Sequence, residues 1–207
     1  AYAGELRLAT TTTASSSGLL DVMIPAFEKE TGVKVVNYVV GTGRALKMGR
    51  NAEVDVLLVH FPTAEKLFVE QGHGVQRIPV MKNDFVVLGP RSDPAGIHGL
   101  ADARRAFSQI QQAEALFVSR ADDSGTHKKE LKIWEALQKE PYGEWYFEAG
   151  ASMGRALDIA NSKQAYIMVD RGTWLSRRSQ LNLVLHVENG PMLENVYSVI
   201  VVRQKTH

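Results

Sequence analysis

Seven of the eight residues from Thr10 to Ser17 (TTTTASSS) carry a hydroxyl and none carries a charge; an apolar run precedes them and an amphipathic run follows. Hydroxyls both donate and accept hydrogen bonds, and Ser and Thr are favoured helix N-caps. Such a cluster is either local capping or a set of donors aimed at a ligand. Three other stretches share its small, glycine- or hydroxyl-rich character: GTGRAL (41–46), SRADDSGTHKKE (119–130) and GASMGRAL (150–157). Each lies where an apolar run gives way to helical spacing. There the unpaired N–H groups and partial positive charge of a helix start hold an anion without a formal cation. One such junction is ordinary capping. Four of them, two in each half of the chain, predict an anion clasped by main-chain N–H groups and hydroxyls.

Other chemistries compete for the same residues. GTGRAL has the first two glycines of a dinucleotide fingerprint, but Leu46 replaces the third and no phosphate-binding lysine pattern follows. GASMG fits the G-x-S-x-G nucleophile elbow, with Ser152 as the serine. Asp170 or Glu188, with His186 or His207, would nominally complete a triad, although His186 precedes Glu188 against the usual order. A serine hydrolase is therefore an alternative reading, as is a transferase on the same framework. The six histidines show no metal-binding spacing, and His60 and His127 near strand ends read as structural. No metal is expected as a directly ligated cation, and no cofactor.

The elements that must position these residues alternate in type. Runs 5–10, 33–40, 54–60 and 84–89 read as β-branched strands. Leu19, Leu20, Met23 and Phe27 form an apolar helical stripe that Gly32 stops, and further helices start near Gly43 and Thr63. After a turn-rich break, PRSDPAGIHG, a second series begins. It has helix faces at Leu100, Ala103, Phe107 and Ile110 and at Leu131, Trp134 and Leu137, then strands near 116–119 and 165–170. The alternation implies βαβ units, a mostly parallel sheet and two α/β lobes. The chain crosses near Pro79–Pro90 and again near Glu194–Val202, giving lobe 1 as residues 1–82 with 196–207 and lobe 2 as 83–195.

Composition narrows the partners. Lys and Arg total 24 against 23 Asp and Glu, a balance that argues against nucleic acid. No run of about 18 apolar residues would span a membrane. Cysteine is absent, which removes thiolate chemistry and disulfides. The Ala-x-Ala opening of AYAGE has the form left by signal-peptide processing, a form that an artificial chain boundary would also give; it predicts a periplasmic, exported chain.

TTTTASSSGLLDVMIPAFEKETG, GTGRALKMG, DVLLVH, MKNDFVVLGP, FVSRADDSGTHKKEL and DRGTWL lie in order over nearly the whole chain. Together they resemble the tungstate-binding proteins of bacterial ABC uptake systems, the TupA family. The resemblance implies a type II periplasmic-binding-protein fold: two α/β lobes joined by two crossing strands, with tungstate or molybdate between them and a membrane permease as partner. It points to Thr11, Thr12 and Thr42 in lobe 1, and to Arg120, Ser124, Gly125, Thr126, Ser152, Met153 and Arg171 in lobe 2. Where the family often reads TTTS, Thr13 takes the serine's place, which leaves the ligand among Thr10–Thr13 open. The family continues past the last strand into helices of lobe 1, whereas this chain stops at VVRQKTH; exposed apolar surface is therefore expected beside NVYSVIVV. A fully deprotonated dianion only accepts hydrogen bonds, so a donor-only cage suits it. Arg120 would add a bidentate, charge-assisted contact. Its competing role is an ion pair with Asp122 or Asp123; an inward carboxylate could accept the proton of a phosphate and would leave a phosphate binder in play, and a sulfate binder is a further alternative.

Overall fold

A computed structural model describes residues 4–204. The chain divides into two compact units, one formed by residues 1–82 and 196–207 and the other by 83–195. Unit 1 begins with β1 (Gly4–Thr11), α1 (Thr12–Ser16), α2 (Leu19–Thr31), β2 (Val33–Val40), α3 (Thr42–Arg50), β3 (Val56–Val59) and α4 (Pro62–Glu70). β4 (Gly74–Gly89) then carries the chain into unit 2, and β9 (Glu194–Val202) brings it back. Between them lie α5 (Ala103–Gln112), β5 (Phe117–Ser119), α6 (Gly125–Ala136), β6 (Tyr146–Glu148), α7 (Met153–Lys163), β7 (Tyr166–Asp170), α8 (Arg171–Arg177) and β8 (Val184–Val187).

In unit 1 the strands lie in the order β2-β1-β3-β9. β1 is parallel to β2 and β3, while β9 is antiparallel to β3. In unit 2, β5 is parallel to β6 and β7, and β4 is antiparallel to β7 and β8. The sheets are thus mixed: β1 with β2 and β3, and β5 with β6 and β7, pair in parallel, while the segments that change unit run against their neighbours. Phe85 to Gly89 are buried without interruption, as in a strand covered on both faces. The preceding half of β4 leaves Val75, Ile78 and Val80 exposed and contains Pro79. That weak alternation hides a strand from a pattern search, as it does for β8.

Unit 2 has the larger aromatic core. Phe107, Phe117 and Trp134 are fully buried, with Phe107 and Trp134 centroids 4.8 Å apart. Gly89 is required here, because a Cβ would stand 2.3 Å from the Tyr166 ring. Two helix faces differ from the sequence pattern. On α6 Leu131 is exposed, and the buried positions are Gly125, Thr126, Glu130, Ile133 and Trp134; a buried carboxyl side chain, invisible to an apolar search, belongs to the face. α5 starts at Ala103, capped by Asp102, so Leu100 precedes the helix. In unit 1, Gly32 ends α2 at φ +67, a left-handed conformation. The predicted stripe on α2 is not a core face: Leu20 is buried, but Met23 and Phe27 are exposed.

Candidate functional site

In unit 1 the parallel strands β1, β2 and β3 end on one sheet edge, and Thr11 is in register with Val40. The segments that follow, Thr12 and Gly41–Thr42, therefore leave from adjacent strand ends. The hydroxyl cluster is not a loop: it completes β1 and forms the short helix α1. Its hydroxyls divide by task. Thr10 Oγ1 donates to Leu58 O at 2.9 Å, which commits it to the sheet, and Thr11 Oγ1 accepts from the Ala14 amide at 3.4 Å as the α1 cap. Thr12 is half-buried at the start of α1, and Thr13 is buried. Thr42 is fully buried, yet its Oγ1 has no hydrogen-bond partner among the described residues. It opens α3, whose N-cap, Gly41, has no side chain to satisfy the first amides. A buried, unsatisfied hydroxyl beside free helix N–H groups is a donor site lacking its acceptor. His60, read from sequence as structural, follows β3 on this edge and stacks on Tyr197 with centroids 4.7 Å apart.

Unit 2 brings a second set together at the ends of β5, β6 and β7. Arg120 directly follows β5 and is 1% exposed. Its Nε donates to Ala151 O at 3.3 Å, its Nη1 to Thr126 Oγ1 at 3.4 Å, and its Nη2 to Asp122. Ala149 and Ala151 donate their amides to Ser119 O and Arg120 O, so the loops after β5 and β6 run side by side. Ser124 caps α6 by accepting from the His127 amide at 3.2 Å, ahead of Gly125 and Thr126 in the first turn. Ser152 is exposed and precedes α7 without making a side-chain cap, which leaves the first-turn amides, starting with that of buried Met153, uncapped. Each unit thus has a helix start without a side-chain cap, α3 in one and α7 in the other.

Charges are distributed unevenly. Asp122 pairs with Arg120, while Asp123 is exposed and pairs with Lys128. Burial lowers the pKa of His127, so it adds no cation at neutral pH. Arg171 opens α8 but is heavily engaged: Nε and Nη2 reach the two oxygens of Asp84 at 2.6 Å, and Nη2 also meets Glu188 at 2.8 Å. These hydrogen bonds raise its pKa further, and they make it a strut between β7 and β4 more than an open donor. Behind the site, Glu130 on α6 is fully buried. It accepts from Ser119 Oγ at 2.9 Å, Trp134 Nε1 at 3.3 Å and Tyr146 Oη at 2.6 Å. Burial raises its pKa to about 7. Sequence reading passed over Glu130 because it searches for core positions among apolar residues.

The competing triad does not assemble among the described residues. No histidine hydrogen-bonds the Ser152 hydroxyl; His186 Nε2 is 3.0 Å from Pro90 O, Asp170 accepts from Thr173, and Glu188 pairs with Arg171. His207 lies outside the described residues. No group of three or more His, Cys, Asp or Glu that would hold a metal ion occurs among the described residues.

The geometry has close counterparts. A family model described as a PBP superfamily domain matches residues 3–206. A relative from Haloferax volcanii is 48% identical over 203 residues, which cover 96% of this chain and 59% of that protein, so this chain spans well under two thirds of its length. The tungstate-binding protein TupA of Peptoclostridium acidaminophilum is 46% identical over 201 residues, 96% of this chain and 70% of that protein. The crystal structure of the tungstate ABC transporter from Geobacter sulfurreducens matches with a TM-score of 0.87 at 43% identity, over 96% of this chain and 85% of that one. With the family model matched from end to end and TupA similarity over nearly its whole length, this chain belongs to the PBP superfamily and, within it, to the TupA family.

Proposed function

We propose that the chain is the solute-binding component of an ABC uptake system and binds tungstate, or molybdate, through hydroxyl, main-chain N–H and guanidinium donors. Thr11, Thr12 and Thr42 would serve in unit 1. Arg120, Ser124, Gly125, Thr126, Ser152 and Met153 would serve in unit 2, with Arg171 bracing the β7 end. The observation that carries this is Thr42: its buried hydroxyl has no partner among the described residues and stands at the start of α3, which has no side-chain cap. An acceptor-only anion would satisfy that hydroxyl and the first amides of α3 together. Similarity to tungstate-binding relatives selects the ligand within that chemistry. Delivery to a membrane permease from the periplasmic side follows from the same reading. No helix among the described residues is long and apolar enough to cross a membrane.

A thermal-shift panel of tungstate, molybdate, sulfate, phosphate and a chromogenic ester tests this. A ligand at a hundredfold its dissociation constant stabilises the folded chain by about 2.7 kcal/mol. Tungstate and molybdate are expected to raise the melting temperature, with sulfate and phosphate weaker and the ester neither bound nor cleaved. Stabilisation by phosphate or sulfate alone would replace the ligand assignment. Ester turnover lost in Ser152→Ala would restore the hydrolase.

A further inference from the structure

The loop that carries Arg120 brings its own anion. One oxygen of Asp122 accepts from Arg120 Nη2, and the other accepts from the Ser124 amide at 3.2 Å. Both donors belong to the set assigned above to the oxyanion. The other carboxylates nearby are committed elsewhere. Asp123 faces solvent and Lys128, and Asp170, close enough to interact electrostatically with Arg120, has its oxygens on the Thr173 amide and hydroxyl. Asp122 also sits on a constrained stretch of backbone. Its neighbours Ala121 and Asp123 are non-glycine residues at φ 46 and 57, a left-handed conformation that the surrounding structure must hold.

We propose that Asp122 is an affinity-setting residue: a resident carboxylate that occupies Arg120 and the Ser124 amide and competes with the incoming anion for them. The proposal rests on the reading of this site as an oxyanion site. A guanidinium with 1% exposure needs a countercharge, and Asp122 supplies one before any ligand arrives. Binding is then measured against a state in which Arg120 is already satisfied, and the ligand also meets a like charge. A dianion is attracted twice as strongly to Arg120 and to the helix starts and is repelled twice as strongly by Asp122, so the carboxylate opposes it more than it opposes a monoanion of the same tetrahedral shape. The carboxylate thereby lowers affinity overall and holds down the preference for dianions.

Titration calorimetry with tungstate and with perrhenate, its tetrahedral monoanionic counterpart, on the wild-type chain, Asp122→Asn and Asp122→Ala reads this directly. The asparagine keeps an acceptor for the Ser124 amide and drops the charge. The expected result is tighter tungstate binding than wild type in both variants, with perrhenate gaining less, so that tungstate-over-perrhenate selectivity rises by about tenfold or more. If both variants bind tungstate more weakly at unchanged selectivity, Asp122 orients Arg120 instead of opposing the ligand, and the proposal is overturned while the functional reading stands. Failure of all three chains to bind either anion removes the functional reading and this proposal with it. Melting curves of the ligand-free variants confirm that each compared chain is folded.

Discussion

Arg120 and Thr42 are two groups taken out of water at a cost, and each answers that cost differently. Arg120 spreads its donors over Ala151 O, Thr126 Oγ1 and Asp122, an arrangement that depends on the planar fork of a guanidinium. Arg120→Lys keeps the charge and loses the fork, so tungstate affinity is expected to fall by roughly tenfold or more in calorimetry. Thr126→Val, which removes a hydroxyl and an anchor for Arg120, is expected to weaken binding by roughly tenfold to a hundredfold. Wild-type affinity in both variants would place the ligand elsewhere. Thr42 makes the sharper test, because its hydroxyl has no partner among the described residues. Thr42→Val removes an unsatisfied buried group at nearly constant shape. The ligand-free variant should therefore melt at the same temperature or higher, with stability unchanged or raised by up to about 1 kcal/mol, while binding tungstate more weakly. A destabilised variant would mean that the hydroxyl contributes to the fold.

At the scale of elements, α6 is fastened to β5 and β6 through Glu130, which reaches Ser119 and Tyr146 from one buried position. Ser119 is followed directly by Arg120, so the same carboxyl group closes the base of the loop that carries the site. Its folded-state pKa of about 7 lies above its ordinary value of 4.5 because burial disfavours the charged form. The folded chain therefore binds this proton more tightly than the unfolded one. The resulting stability is fully present below about pH 4.5 and is lost as pH rises to about 7, a difference on the order of 3 kcal/mol for so buried a group. Glu130→Gln keeps acceptors for Trp134 and Tyr146 and a donor for Ser119. Its stability, followed by denaturant unfolding from pH 4.5 to 8, should decline less with rising pH than that of wild type. An identical slope in the two chains would mean that Glu130 titrates normally.

Unit 1 bears on behaviour at the scale of the whole molecule. Beside NVYSVIVV, where apolar exposure is expected, Tyr197, Ile200 and Val202 of β9 are buried, while Val201 is exposed, as are Val75, Ile78 and Val80 on the neighbouring strand β4. The exposed apolar residues of unit 1 include Val22, Met23 and Phe27 on α2 and Tyr38 and Val39 on β2. Apolar surface of that extent promotes association. Sedimentation velocity on this chain should show concentration-dependent self-association that Val22→Ser with Phe27→Ser reduces. A monomer at all concentrations would show that the surface is tolerated in water.

Local chemistry was legible without coordinates. Helix starts at Thr42, Gly125 and Met153 follow from glycine and hydroxyl residues at strand ends, and Gly32 marks the end of α2, because capping and backbone freedom are properties of a few consecutive residues. The motifs strung along the chain carried the family for the same reason. Tertiary structure decided what each polar group does once it is buried. Thr10 joins the sheet while Thr42 is left unsatisfied, and Arg171 is taken by Asp84 and Glu188 while Arg120 faces Asp122. Glu130 enters a core face that hydrophobic spacing assigns to Leu131. These outcomes depend on which donors and acceptors the fold brings within about 3 Å of one another, a distance between residues far apart in the chain that no local pattern encodes.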